Sequence, residues 1–160
     1  MTKIAFQDTY PPDLSHCYGC GKHNENGHQL KTYWLDDQCN TTVSKYTPLA
    51  EHTATPGFVY GGVIASLIDC HGTASASAIA SKQAGREQDA QSSIRFVTGK
   101  LEVNYLAPTP MGVELTLTGS FSEIKERKVI VQIELSAHGK VCVKGEVIAV
   151  KMPDTMGKQQ

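Results

Sequence analysis

At 160 residues the chain has the length of one domain with room for a real core, and 40% apolar against 19% charged residues is the balance of an ordinary globular protein. Its 15 basic and 16 acidic residues give a net charge of −1 with no basic run or pole, which argues against nucleic acid as a partner. Residues 1–8 lack an apolar h-region, Ser66 and Asp69 interrupt the longest apolar run, and the five cysteines are an odd number, so a cytoplasmic chain with reduced thiols, no disulfide framework and no membrane partner is expected.

Residues 1–15, with Pro11-Pro12, read as an extended or poorly ordered lead-in. The run from Ser15 to His28 is dense in Gly, Asn, His and Cys and is a loop, so residues 1–29 form a lead-in rather than part of the main unit. Cys17 and Cys20, with His16, His23 and His28 nearby, offer the ligand types of a tetrahedral zinc site. The spacing fits poorly: the gap between Cys20 and His23 is shorter than a zinc-finger linker, and no second Cys pair follows. No metal site is assigned.

Residues 30–35 and 39–46, rich in Tyr, Trp, Thr and Val and separated by Asp36-Asp37-Gln38, predict a two-stranded hairpin. Residues 47–59, bracketed by Pro48 and Pro56, form an irregular segment that delivers the chain to Tyr60-Gly61-Gly62, where a site wall would sit. A helix is predicted from Gly61 to residue 82 or 84, ended by Gly85.

That helix organises the chain. Val63, Ile64, Leu67, Ile68, Ser75 and Ile79 recur at helical spacing and face a core. Beside them Gly62, Ala65, Asp69, Gly72 and Ala76 form a strip of tiny residues broken only by one carboxylate, close enough in shape for another backbone or an extended ligand to lie against it. The first turn has unpaired N–H donors and the positive dipole end, and Gly61 and Gly62 have no side chains to cover them, so a carbonyl or oxyanion could dock there. A purely structural reading also accounts for the pattern, with glycines for tight packing and Asp69 as a hydrogen-bonded, partly buried acid.

After a polar connection at residues 86–92, four strands are predicted at 93–107, 113–124, 128–137 and 140–152, with turns at Pro108 to Gly112, Lys125 to Arg127 and His138-Gly139. Leu101, Val103 and Tyr105 alternate, as do Val129, Val131, Ile133 and Leu135, so each strand buries one face. Residues 30–152 therefore form one α+β domain in which a single helix covers a sheet, and residues 153–160 are a flexible tail.

The run from Tyr60 to Asp69 resembles the signature of hotdog-fold thioesterases of the phenylacetate-degradation (PaaI-like) type, a His-Gly-Gly turn followed seven residues later by a catalytic Asp. Cys17, Gly19, Cys20, Gly21, Asn24 and Gly27 are similar to the family's lead-in, and Leu101 to Pro110 is a second family-like segment. The resemblance implies a hotdog fold, a long central helix wrapped by a curved antiparallel sheet, and an acyl-CoA thioesterase acting on acyl-CoA or aryl-CoA without a cofactor. It assigns Asp69 as general base or nucleophile and Gly62, with Gly61, as donors to the thioester oxygen. Tyr60 would line the substrate, and Thr98 would be a hydroxyl supplied across a subunit boundary. A homodimer or homotetramer follows, which the exposed sheet edges also call for. Lys82, Arg86, Arg95 and Lys100 flank the elements where coenzyme A phosphates would enter.

Two positions depart from the pattern. Tyr60 stands in place of the family His, and Ala54 or Thr55 stands where an Asn or Gln commonly precedes the glycines. These departures leave open a non-catalytic acyl-CoA-binding module on the same fold. The Tyr at position 60 also argues against a dehydratase, which would want a His there. His71, two residues past Asp69 and about 200° around the helix, is expected to be a core histidine rather than a partner of the acid.

Overall fold

The computed structural model describes residues 3–86 and 93–156. One helix, α1 (Gly61–Gln83), packs on a six-stranded antiparallel sheet built from β1 (Thr32–Trp34), β2 (Thr41–Tyr46), β3 (Phe96–Tyr105), β4 (Leu115–Ile124), β5 (Lys128–Ala137) and β6 (Lys140–Lys151). The strand order is β1-β2-β4-β5-β6-β3. This is the hotdog arrangement that the sequence led to.

The core forms where the alternation on β5 said it would, but not on β3, where Leu101 and Tyr105 are exposed and Val103 is only half-buried because α1 does not fully cover this edge strand. Leu115 and Leu117 on β4, Val129, Val131, Ile133 and Leu135 on β5, and Val143, Val147 and Ala149 on β6 are all buried, and they meet Val63, Ile64, Leu67, Ile68 and Ile79 of the helix. Burying each such side chain contributes roughly 1.5–3 kcal/mol, so this one interface dominates the stability of the domain. Close approach is needed at its centre: a Cβ on Gly145 would lie 2.5 Å from the Ile68 side chain. His138 (φ 52°) and Gly139 (φ 74°) make the tight turn between β5 and β6, a left-handed pair that suits the twist of the flanking strands. At its far end α1 closes with a Schellman cap, in which Gly85 (φ 66°) donates to the Lys82 carbonyl and Arg86 to the Ser81 carbonyl.

Four further expectations change. The lead-in is packed, not loose: short 3₁₀ turns at Phe6–Thr9 and Pro12–Leu14 bury Phe6 against Ala74, Ala78 and Trp34, and Gln7 locks onto Thr32 through both its amide atoms. Apolar anchors at Phe6 and Tyr10 outweigh the disorder signal of the proline pair. The irregular stretch before the helix holds structure of its own, with a 3₁₀ turn at Ala50–His52 and a type II turn in which Pro56 precedes Gly57 (φ 89°) and Phe58 donates to the Thr55 carbonyl. At 23 residues α1 is also long and apolar enough to cross a bilayer, contrary to the reading of its broken apolar run, but 72% of its most apolar stretch is buried inside the fold. Finally, only the first half of the tiny-residue strip is open: Ala76 is fully buried, and a Cβ on Gly72 would strike Val147 of the chain's own sheet. Of the 153–160 tail only Pro153 to Met156 lies within the described residues, as does only Arg86 of the polar connection at 86–92.

The two sheet edges differ. At three residues β1 is too short to template another strand, whereas β3 is ten residues long and mostly exposed from Thr98 to Tyr105.

Candidate active site

The first turn of α1 has two free donors. Val63 and Ile64 both donate to the Tyr60 carbonyl, while the N–H groups of Gly61 and Gly62 have no acceptor among the described residues. The dipole of a 23-residue helix adds partial positive charge at that end. Tyr105, at the end of β3, donates its hydroxyl to the Gly61 carbonyl at 2.7 Å and so fixes the turn. Tyr60 folds its ring over Gly62, where a Cβ would lie 2.5 Å from the ring. A cleft of about 380 Å³ opens beside this turn, lined by Phe58, Gly61, Ile64, Tyr105 and Leu106 among others.

Two helical turns on, Asp69 is half-buried and accepts a hydrogen bond from the Thr98 hydroxyl through Oδ1. Thr98 shares the helix-facing side of β3 with Phe96 by strand alternation. Beyond it the register shifts by one at Gly99, opposite Ile148, a bulge of the kind that re-aims a side chain. Burial raises the Asp69 carboxyl above its ordinary range, the Thr98 hydroxyl opposes that shift, and Cys17 adds to it. The Oδ2 oxygen has no partner among the described residues, leaving half the carboxylate free to act.

The structure thus brings Asp69 and Thr98 together and sets Gly61, Gly62 and Tyr60 at the head of the same helix. The Thr98 contact forms within one chain, where the resemblance implied a hydroxyl from a second subunit. His71 turns away from Asp69 as expected: it is fully buried, its ring nitrogens meet Ser44 Oγ at 2.8 Å and Thr42 Oγ1 at 3.0 Å, and burial pushes it down to about 3. At the missing amide, Ala54 offers only a backbone N–H, which is spent on the Phe58 carbonyl.

The cations proposed for coenzyme A are mostly engaged elsewhere. Lys82 donates to the Gln38 carbonyl and sits over Trp34, Arg95 stacks on Tyr10, and Lys100 pairs with Glu102 on exposed β3. Arg86 is exposed at the far end of the helix. Sequence reasoning missed Tyr105 as a contact to the glycine turn, because its strand alternation marked it only as a core position. It also missed Cys70, whose thiol meets Cys17 across 53 positions of chain with no local signal.

A family model described as thioesterase superfamily matches residues 56–147, which include the glycine turn, Asp69 and Thr98. The chain belongs to the thioesterase superfamily. A solved thioesterase superfamily protein from Shewanella loihica is 48% identical, covering 88% of this chain and 96% of that one with a TM-score of 0.66. The E. coli PaaI protein of the phenylacetic acid degradation operon shares 16% identity over 71% of this thioesterase-family chain and 73% of its own, with a TM-score of 0.59. A hypothetical thioesterase from Streptococcus pneumoniae, solved with coenzyme A, shares 14% identity over 71% and 82%, with a TM-score of 0.58. At those lower identities the likeness is one of fold. No curated protein matches the chain.

Proposed function

We propose that this thioesterase-superfamily protein is a PaaI-like hydrolase of acyl-CoA or aryl-CoA thioesters, with Asp69 as its catalytic carboxylate. The observation that carries the reading is the pairing of a half-free acid, held by Thr98, with a helix start whose two leading N–H groups have no acceptor among the described residues. A thioester carbonyl is electrophilic, and its hydrolysis needs donors for the developing oxyanion and a group that delivers the nucleophile. Gly62, assisted by Gly61, would hold the carbonyl oxygen. With Asp69 as general base, water adds to the acyl carbon as Asp69 takes its proton, the tetrahedral adduct expels the coenzyme A sulfur, and that proton passes to the leaving thiolate. With Asp69 as nucleophile, its oxygen bonds the acyl carbon as the C–S bond breaks and the coenzyme A thiolate leaves, and water then opens the resulting acyl anhydride to the free acid and the restored carboxylate, its proton going to the thiolate. Thr98 fixes the carboxylate rotamer in either route, and Tyr60, beside Gly62, walls the acyl side.

The coenzyme A bound to the Streptococcus protein supports the choice of carrier. We infer a homodimer or homotetramer, since the long exposed β3 edge lies next to Asp69 and a second copy on it would cover the site.

One observation favours a second reading, a protein that binds acyl-CoA without turning it over: the Tyr60 ring sits where it narrows access to Gly62. A panel of acyl- and aryl-CoA esters, run with the parent and purified Asp69→Ala, separates the two. Turnover by the parent that the variant loses supports the hydrolase; tight binding with no turnover selects the binding module; equal turnover by both removes Asp69 from the chemistry.

A further inference from the structure

Three thiols meet where the N-terminal loop crosses the helix, and hydrolysis as derived above uses none of them. Cys17 and Cys20 come from the loop and Cys70 from α1, and their sulfurs all lie within 4.8 Å of one another. Cys17 Sγ stands 3.7 Å from Cys70 Sγ. In a tetrahedral zinc site with Zn–S bonds of about 2.3 Å, neighbouring sulfurs are about 3.8 Å apart.

We propose that Cys17, Cys20 and Cys70 bind a single Zn²⁺ ion that clamps the N-terminal loop onto α1 beside Asp69.

The loop is shaped for this. Gly21 N–H donates to the Cys17 carbonyl at 2.7 Å, closing a turn in which the Gly19 and Cys20 N–H groups point at the Cys17 sulfur. A Cβ on Gly19 would lie 2.3 Å from Cys70 Sγ, and one on Gly21 would lie 2.5 Å from Cys17 N, so both glycines are set by the turn that delivers the thiols. Three thiolates around Zn²⁺ carry a net charge of −1, and the Arg95 guanidinium acts on Cys20 to offset it.

The surroundings hold unused donors. Arg95 Nε and Nη1 and the Tyr10 hydroxyl are buried without a partner among the described residues, Arg95 lies 3.6 Å above the Tyr10 ring, and Tyr10, 3% exposed, is close enough to Cys20 and Cys70 for their charges to act on it. Metal-bound sulfur is an acceptor that such donors would serve. The zinc reading from sequence looked to His16, His23 and His28 for the remaining ligands; none joins the cluster, and the third ligand is the helix thiol. The fourth position is left to water or an added ligand.

The test uses the intact chain, with any affinity tag removed. Metal content is measured on protein purified under reducing conditions without chelator, and metal-free protein is then titrated with Co²⁺ while the thiolate-to-cobalt charge-transfer band is read. The proposal expects one equivalent of zinc per chain, a saturable tetrahedral Co²⁺ spectrum displaced by Zn²⁺, loss of that spectrum in Cys70→Ser and its retention in Cys142→Ser. It is overturned by a parent chain that gives no charge-transfer band, by a Cys70→Ser spectrum equal to the parent's, or by native protein in which two of these cysteines are joined as a disulfide and no metal is held. None of these readouts depends on thioester hydrolysis, so the metal site and the catalytic reading stand or fall separately.

Discussion

Asp69 and His71 lie two residues apart on one helix and sit in opposite kinds of environment. Around His71 a buried chain of polar groups runs from Gln7 through Thr32 and Ser44 to the imidazole, then to Thr42 and Ser75, with each member within hydrogen-bond distance of the next. Around Asp69 the polar groups are left open: one carboxylate oxygen, two glycine N–H groups and the hydroxyl of exposed Tyr60 lack partners among the described residues. A saturated network specifies packing, while an unsaturated one holds capacity in reserve for a ligand. The comparison separates the structural histidine from the candidate catalytic acid more sharply than burial alone does.

The largest way to break the comparison is on the saturated side. His71→Ala strands the Ser44 and Thr42 hydroxyls and leaves a cavity under the sheet; unfolding should cost about 2–4 kcal/mol less, read as a Tm lower by roughly 5–15 °C. Residual hydrolysis per folded molecule should stay near that of the parent. On the open side, Thr98→Val keeps the shape and strand propensity of the side chain but frees the Asp69 rotamer, so turnover should fall about tenfold with little change in Tm. Tyr105→Phe removes only the hydroxyl that fixes the Gly61 carbonyl, a loss of about 1 kcal/mol that should appear as a fewfold rise in KM or fall in kcat. Were Thr98→Val to lower Tm as His71→Ala does while sparing the rate, the two environments would not differ in the way described.

Much of this was legible in the sequence. The strand alternation from Val129 to Leu135, the glycines that begin the helix and the glycine past its end are local signals, and the elements form within a few residues of where those signals put them. Thr98 was legible only through family likeness, which assigned it across a subunit boundary; its contact with Asp69 inside one chain was not legible, because it spans the helix-to-strand connection and depends on the bulge at Gly99. The packing of Phe6 and Gln7 and the meeting of Cys17 with Cys70 were not legible, since each joins the first twenty residues to elements far along the chain and leaves no periodic trace. Sequence period reports which face of an element is buried. It does not report which distant side chain arrives on it.

The central claim is that the acid on the open side of α1 does chemistry and little structural work. Its most direct test is a paired measurement on Asp69→Asn, thioester hydrolysis and thermal unfolding from one preparation. The account predicts a fall in kcat of about 10²–10⁴-fold, with Tm within about 2 °C of the parent. A variant that hydrolyses at the parent's rate, or one whose Tm drops as far as that of His71→Ala, would contradict it.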